Sequence, residues 1–142
     1  MKKLPRVFFD SDVVISSIIS NRGAAYVLIK DEGINRFISN ISKKELNKTS
    51  RKLNISQTKL DAHTKNHFKQ TELKESIKDI KKKYQIYTTD LNDAHIVKGV
   101  IESKVEFILT YNIRHFKENK IQEKLKIKTM TQGEFLQFLR SN

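Results

Sequence analysis

Twice in this chain a short, wholly apolar run stops at polar residues. Val7-Phe8-Phe9 ends at Asp10-Ser11-Asp12, and Phe107-Ile108-Leu109 ends at Thr110-Tyr111-Asn112. A brief continuous apolar run with β-branched and aromatic residues reads as a strand buried on both faces. Strands of that kind belong to parallel sheets with helices covering each side. In open α/β sheets the ligand crevice lies outside the carboxyl ends of the strands. An acidic or amide side chain one residue past such a strand is anchored by the sheet yet reaches solvent. Between the two runs lie Glu45, in Ser42-Lys43-Lys44-Glu45-Leu46, and Asp93, in Asp90-Leu91-Asn92-Asp93-Ala94-His95. Several such acids converging on one crevice would bind a hard cation such as Mg²⁺, which takes oxygen ligands.

The rest of the chain alternates in the same sense. Arg6 to Phe9 is expected as a strand. Asp12 can cap a helix through Val13, Val14, Ile15, Ile18 and Ile19, broken at Asn21-Arg22-Gly23. A second helix runs from Ala24 to Lys30, ending near Gly33. Arg36-Phe37-Ile38-Ser39 is a second strand. Ser42 followed by Glu45 has the spacing of a capping box, with Leu46, Leu53 and Thr49 on the helical face behind it. Residues 56–84 are Lys-rich with apolar residues at helical spacing (Leu60, Phe68, Leu73, Ile77, Ile80). They read as two helices, the second ending at Lys81-Lys82-Lys83, where cations suit a helix C-terminus. Gln85 to Thr88 reads as a short strand, and Asp90 caps a helix carrying Ala94, Ile96, Val97, Val100 and Ile101. Glu106 to Thr110 and Ile127 to Met130 are the last strands. Thr131 and Glu134 form a second capping-box pattern, leading a helix with Phe135, Leu136, Phe138 and Leu139. Alternating strands and helices predict an α/β domain with a mostly parallel sheet and helices on both faces.

Length and charge narrow the function. With 142 residues the chain suits one domain with a substantial core. The formal net charge of +12 points to an anionic partner: nucleic acid, an acidic protein or a membrane surface. There is no cysteine, which excludes disulfides, thiolate zinc sites and thiol nucleophiles and fits a cytoplasmic protein. Asp10 and Asp12 interrupt the N-terminal apolar run, so it does not read as a signal peptide. No run approaches the roughly 18 apolar residues of a membrane span. A negative crevice on a positive molecule suits metal-dependent cleavage of a polyanion.

Each candidate residue has a structural explanation beside the chemical one. Asp10-Ser11-Asp12 could be a helix cap, although one cap residue would suffice. The capping box accounts for Glu45 in full, with Ser42 capping and Glu45 reaching back. Asp90 and Asp93 stand three apart at a helix start and invite the same explanation. Thr110 and Asn112 could merely stabilise a turn. His63 and His67 have the i, i+4 spacing that can bind zinc, but no Glu or Cys accompanies them, so a solvated helix face fits better. His95 and His115 lie close to the candidate residues and could touch a phosphate, but surface or packing roles fit both better. The clustered cations Lys43, Lys44, Lys48, Arg51 and Lys52 read as a solvated face that could lie along an RNA path.

Taken in order, four blocks resemble the PIN-domain ribonucleases. They are Phe9-Asp10-Ser11-Asp12-Val13-Val14-Ile15, Ser42-Lys43-Lys44-Glu45-Leu46, Asp90-Leu91-Asn92-Asp93-Ala94-His95-Ile96-Val97, and Ile108-Leu109-Thr110-Tyr111-Asn112-Ile113-Arg114-His115-Phe116. The likeness is greatest to the branch acting as toxins of toxin–antitoxin pairs, which typically ends as Thr131-Gln132-Gly133-Glu134-Phe135-Leu136 does here. The resemblance implies a single PIN-like domain over residues 1–142, with a central sheet of four to five strands. By position, Asp10, Glu45 and Asp93 match that family's metal-binding acids, and Thr110 its small hydroxyl residue before the last acid. Asn112 falls where many members carry a fourth Asp, though the nearest branch often has Asn. Asp12 falls where many carry Asn. A neutral Asn112 leaves a second ion fewer anionic ligands, which favours one tightly held ion with another recruited by the phosphate. The implied cofactor is Mg²⁺ or Mn²⁺, and the implied substrate is RNA. The implied partners are an antitoxin protein and, often, a second copy of the chain. No membrane partner is expected.

Two other readings compete. Asp10-Ser11-Asp12-Val13-Val14 after an apolar strand also resembles the first motif of haloacid-dehalogenase-type phosphatases, with Asp10 as nucleophile and Asp12 as general acid. That reading needs a catalytic Lys and a paired-acid metal motif, which Asp90 and Asp93 could supply, and leaves Thr110-Tyr111-Asn112 unexplained. The third reading is a non-catalytic basic RNA- or protein-binding domain with a decayed site, which Asn112 would suit.

Overall fold

In a computed structural model describing residues 3–141, the first apolar run is the middle of the molecule. Strand β1 (Arg6–Phe9) is followed by helices α1 (Ser11–Ile19) and α2 (Gly23–Lys30), strand β2 (Asn35–Ser39), and helices α3 (Asn40–Lys52) and α4 (Gln57–His67). Strand β3 (Lys69–Thr71) leads to α5 (Ile77–Tyr84), α6 (Ala94–Ser103), β4 (Phe107–Leu109), α7 (Glu118–Leu125), β5 (Lys128–Met130) and α8 (Gln132–Arg140). The strands form one sheet in the order β3-β2-β1-β4-β5, and all four pairings are parallel.

The alternation of β1 explains the two-sided core. Val7 and Phe9 pack with Val13, Val14, Leu28, Leu46, Leu60 and Phe135 on one face. Phe8 packs with Ile80, Ile96, Val97, Val100 and Ile121 on the other. Val7, Phe8 and Phe9 are all fully buried, as a central strand requires. Gly99 lets α6 lie close to that strand: a Cβ there would sit 2.7 Å from Cζ of Phe8. No single helix among the described residues is long and apolar enough to cross a membrane.

Several local expectations need correcting. The cap of α1 is Asp10, whose carboxylate accepts from the Ser11 amide, and Asp12 lies within the first turn. The cap of α3 is Ser39, whose Oγ accepts from the Ser42 amide at 3.0 Å, so the box between Ser42 and Glu45 does not form. Leu53 is half exposed at the end of that helix rather than on its buried face. Between the two helices expected over 56–84 the chain makes an edge strand, Lys69–Thr71, hydrogen-bonded to β2. Residues Gln85–Tyr87 form a single 3-10 turn instead of a strand, and only Thr88 makes a bridge, to Phe116. Asp90 does cap, but it caps the short 3-10 turn Leu91–Asp93 that precedes α6. Helix α7 was not anticipated. The capping box of Thr131 and Glu134 is present with both of its hydrogen bonds.

Candidate active site

Strand register brings the first two functional side chains together. Phe9 pairs with Leu109 in neighbouring parallel strands. The next residues, Asp10 and Thr110, therefore leave the sheet side by side. Thr110 Oγ1 donates to Asp10 Oδ2 at 2.8 Å, and the Ser11 amide donates to Asp10 Oδ1 at 2.8 Å. Asp10 is only 6% exposed. Thr110 Oγ1 also accepts from the Asn112 amide at 3.0 Å, so one hydroxyl ties both strand ends together.

The start of α3 supplies the next acid. With Ser39 as the cap, Glu45 is released from capping and reaches across to the start of α1, where its Oε1 accepts from Ser11 Oγ at 3.1 Å. Its other oxygen stands 3.1 Å from Nε2 of the buried His95. That contact is close enough for an ion pair if the imidazole is protonated, but it is not aligned as a hydrogen bond, and neither ring nitrogen of His95 has a hydrogen-bond partner. The turn before α6 supplies Asp90 and Asp93. Asp93 Oδ2 lies 2.9 Å from His115 Nδ1, and Asp90 Oδ2 lies 4.0 Å from the same nitrogen. Asn112 Nδ2 donates to Asp12 Oδ2 at 2.7 Å.

These residues line one cleft of about 220 Å³ at the carboxyl ends of the strands, where Asp10, Asp12, Glu45, Asp90, Asp93 and Asn112 meet. Ser11, Thr49 and His115 complete the lining, and among the described residues no Lys or Arg contributes to it. The crowding has an electrostatic signature. Burial, reinforced by the neighbouring charges of Asp12 and Asp93, pushes the Asp10 carboxyl up to about 7, against the pull of its Thr110 and Ser11 hydrogen bonds. Burial and Asp90 likewise raise Asp93, opposed by His115. Carboxylates held together without a balancing cation fit a divalent ion, whose charge would remove both penalties. The closest group of ligand-type atoms is that of Asp90, Asp93 and His115, all within 4.8 Å of one another. Asp10 and Glu45 face the same cleft but stand outside that tightest group.

His115 and Ser11 are the residues that sequence reasoning undervalued. His115 is 22 positions from Asp93 and is brought to it only by the fold. Ser11, within the first acidic triplet, carried a readable signal only as a cap. The expectation for His63 also changes. Its Nε2 lies 3.0 Å from Ser17 Oγ, so it packs against α1 rather than on a solvated face. Burial, with His67 and nearby cations, lowers it to about 4. Lys43, considered for an RNA path, is paired with Asp61 at 2.6 Å. A larger cavity, of about 730 Å³, opens at the opposite ends of β4 and β5 beside Glu106, Lys128 and α7, away from the acids.

An open parallel sheet whose strands end at an acid-lined crevice defines an α/β domain with its candidate site at the carboxyl ends of the strands. The sequence matches the family model described as PIN domain over residues 6–114, and the chain belongs to that family. No curated protein matches it. The fold is similar to that of VapBC2 from Rickettsia felis bound to a DNA fragment from their promoter, with a TM-score of 0.62 and 16% identity, covering 89% of this chain and 98% of that one. It is also similar to a toxin–antitoxin complex from Klebsiella pneumoniae, with a TM-score of 0.60 and 21% identity, covering 78% of this chain and 90% of that one.

Proposed function

We propose that this PIN domain is a metal-dependent endoribonuclease, the toxin of a toxin–antitoxin pair. The observation that carries the reading is the cleft itself: five carboxylates and Asn112 gather at the strand ends of a chain with a net charge of +12, with no cation of its own among them. The family supports the nuclease, and the two similar structures, both from toxin–antitoxin systems, support an antitoxin partner.

Asp10, Glu45 and Asp93, with Asn112 and the adjoining Asp90 and His115, would hold Mg²⁺ or Mn²⁺. Such an ion, when bound, supplies an acidified water and neutralises charge building on the phosphate. The chain's own residues set the stage. Thr110 and the Ser11 amide fix both oxygens of Asp10, so that its carboxylate keeps one orientation. Ser11 does the same for Glu45, and His115 for Asp93. Asn112 aims its amide nitrogen at Asp12, which leaves its oxygen as a neutral ligand. Surface Lys and Arg supply backbone affinity that weakens with salt and carries no sequence choice.

The phosphatase reading fits less well. Among the described residues no Lys lines the cleft to serve as its catalytic lysine, and Thr110 and Asn112 are left without a role in it. A non-catalytic binding domain has no use for unneutralised, partly buried acids, which cost stability. The test is cleavage of a labelled RNA oligonucleotide by the purified protein with Mg²⁺, with Mn²⁺ and with chelator, beside p-nitrophenyl phosphate. Metal-dependent RNA cleavage without monoester turnover is expected. Monoester turnover with intact RNA would overturn the proposal.

A further inference from the structure

A second cavity, of about 410 Å³, adjoins the acid cleft. The two share Asn112 and His115, and the second continues past them along Ile113 and Arg114 to Tyr111 and Thr131. Beyond those two shared residues, the metal-site reading uses none of its lining. Its volume lies within the range of ordinary small-ligand sites. Its lining combines one large aromatic ring, one guanidinium and several hydrogen-bonding groups. Tyr111 is 49% exposed, although an aromatic of that size is usually covered. Its hydroxyl donates to Ser16 Oγ on α1 at 2.9 Å, so the ring is held in place while remaining open to a ligand.

Resting on the ribonuclease reading, we propose that this cavity receives the nucleobase next to the scissile phosphate, stacked on Tyr111, with Arg114 placed for the adjoining phosphate. A strand whose phosphate lies at Asp10 and Asp93 must put its neighbouring nucleotides somewhere along the rim. The rim offers an adjoining cavity on the side of Asn112 and His115. An unpaired base presents a π-face to any aromatic ring, and each such stack contributes a measurable share of single-strand affinity. A base paired within a duplex enters the cavity only if it is first flipped out, so an unpaired nucleotide beside the cut contributes more than those farther away.

The test compares the wild type, Tyr111→Ala and Tyr111→Phe on a short RNA, and on the same RNA made abasic at each position flanking the cut in turn. Tyr111→Ala should raise KM roughly five- to a hundredfold, the range of one lost stack, with kcat changed far less. Tyr111→Phe keeps the ring and loses only the Ser16 hydrogen bond, so it should stay within about twofold of wild type. One abasic position should raise the wild-type KM similarly and have no further effect on Tyr111→Ala, since both changes remove the same contact. An unchanged KM for Tyr111→Ala would overturn the proposal. So would a loss in Tyr111→Phe equal to that in Tyr111→Ala, which would assign the effect to the hydroxyl, and so would additivity at every abasic position. If the wild type leaves all RNA intact with either metal, the ribonuclease reading itself fails, an outcome distinct from active enzyme indifferent to Tyr111.

Discussion

Two charged regions of this molecule are built on opposite rules. Around Lys98, on α6, charge is matched: its ammonium lies 2.7 Å from Glu102 and 2.8 Å from Glu75, and those two contacts raise it above the usual lysine range. At the strand ends charge is unmatched: Asp10, Asp12, Glu45, Asp90 and Asp93 share one cleft with imidazole, hydroxyl and amide groups and, among the described residues, no Lys or Arg. The first arrangement stabilises the fold as it stands. The second costs stability while its acids stay unneutralised, which is how functional sites usually differ from structural ones.

The comparison breaks most visibly at Asp10. Asp10→Asn should lower metal-dependent RNA cleavage by on the order of 10²–10³-fold or more, the scale of one lost electrostatic group, and Asp93→Asn should do the same. The metal-free Asp10→Asn protein should also melt higher than wild type above pH 7. The sign follows from the raised carboxyl: above its unfolded value of 3.8 and up to about 7, folding keeps a proton that the unfolded chain releases, so charge on Asp10 opposes folding at neutral pH. Wild-type cleavage at saturating metal, or a lower melting temperature above pH 7, would put Asp10 among the structural acids. Glu45→Gln sharpens the same contrast. Glu45 caps nothing, since Ser39 caps α3, and Gln keeps an oxygen for the Ser11 hydroxyl, so cleavage should collapse with little change in stability. Retained cleavage together with unaltered Mn²⁺ affinity would return Glu45 to a structural role.

Asn112→Asp comes next in size. It replaces the donor that satisfies Asp12 with a like charge 2.7 Å away. Mn²⁺ affinity should rise by roughly a factor of ten, about 1.4 kcal/mol, while the metal-free protein melts lower. A Mn²⁺ titration that leaves affinity untouched would mean that Asn112 does not face the ion. Lys98→Met tests the matched region. It keeps the apolar stem and removes a buried ammonium from two partly exposed glutamates, so it should cost about 1 kcal/mol, or roughly 2–5 °C in Tm, with cleavage unchanged. A loss of cleavage equal to that of Asp10→Asn would erase the distinction between the two regions.

The smallest effect concerns His63. Folding lowers it to about 4 from an ordinary 6.5, so its contribution is intact above 6.5 and is lost as pH falls towards 4. His63→Gln should lose less stability than wild type over that window, with the two curves parallel above pH 7. Urea melts at half-unit steps of pH measure the difference directly, and curves parallel down to pH 4 would show that His63 does not titrate with folding.

What could be read in advance follows from how local each signal is. Asp10, Thr110 and Asn112 stood out because each follows an apolar run, and the end of a buried strand is visible in a dozen residues. The box of Thr131 and Glu134 was readable for the same reason. Ser39 and Ser42 are both good caps, and the pattern favoured Ser42, which has Glu45 three residues on where Ser39 has only Ser42. The choice was made by β2, which pairs with β3 through Ser39 opposite Thr71 and so places the helix start at Asn40. That shift frees Glu45 for the cleft. Strand β3 itself, Lys-Gln-Thr, has no apolar signal, because an edge strand is identified by the neighbour that pairs with it. Helix α7 was equally quiet, with Ile121 as its one buried side chain.

By itself, then, the sequence determined where the buried strands stop and which acids follow them, because burial and capping are settled within a few residues. Tertiary structure alone decided which acids meet. Parallel pairing is non-local: only the order β3-β2-β1-β4-β5 sets Asp10 beside Thr110, 100 positions away, and folds His115 back onto Asp93. The raised carboxyl of Asp10 belongs to that second category. It comes from burial and from Asp12 and Asp93, and those distances exist only once the strands are side by side.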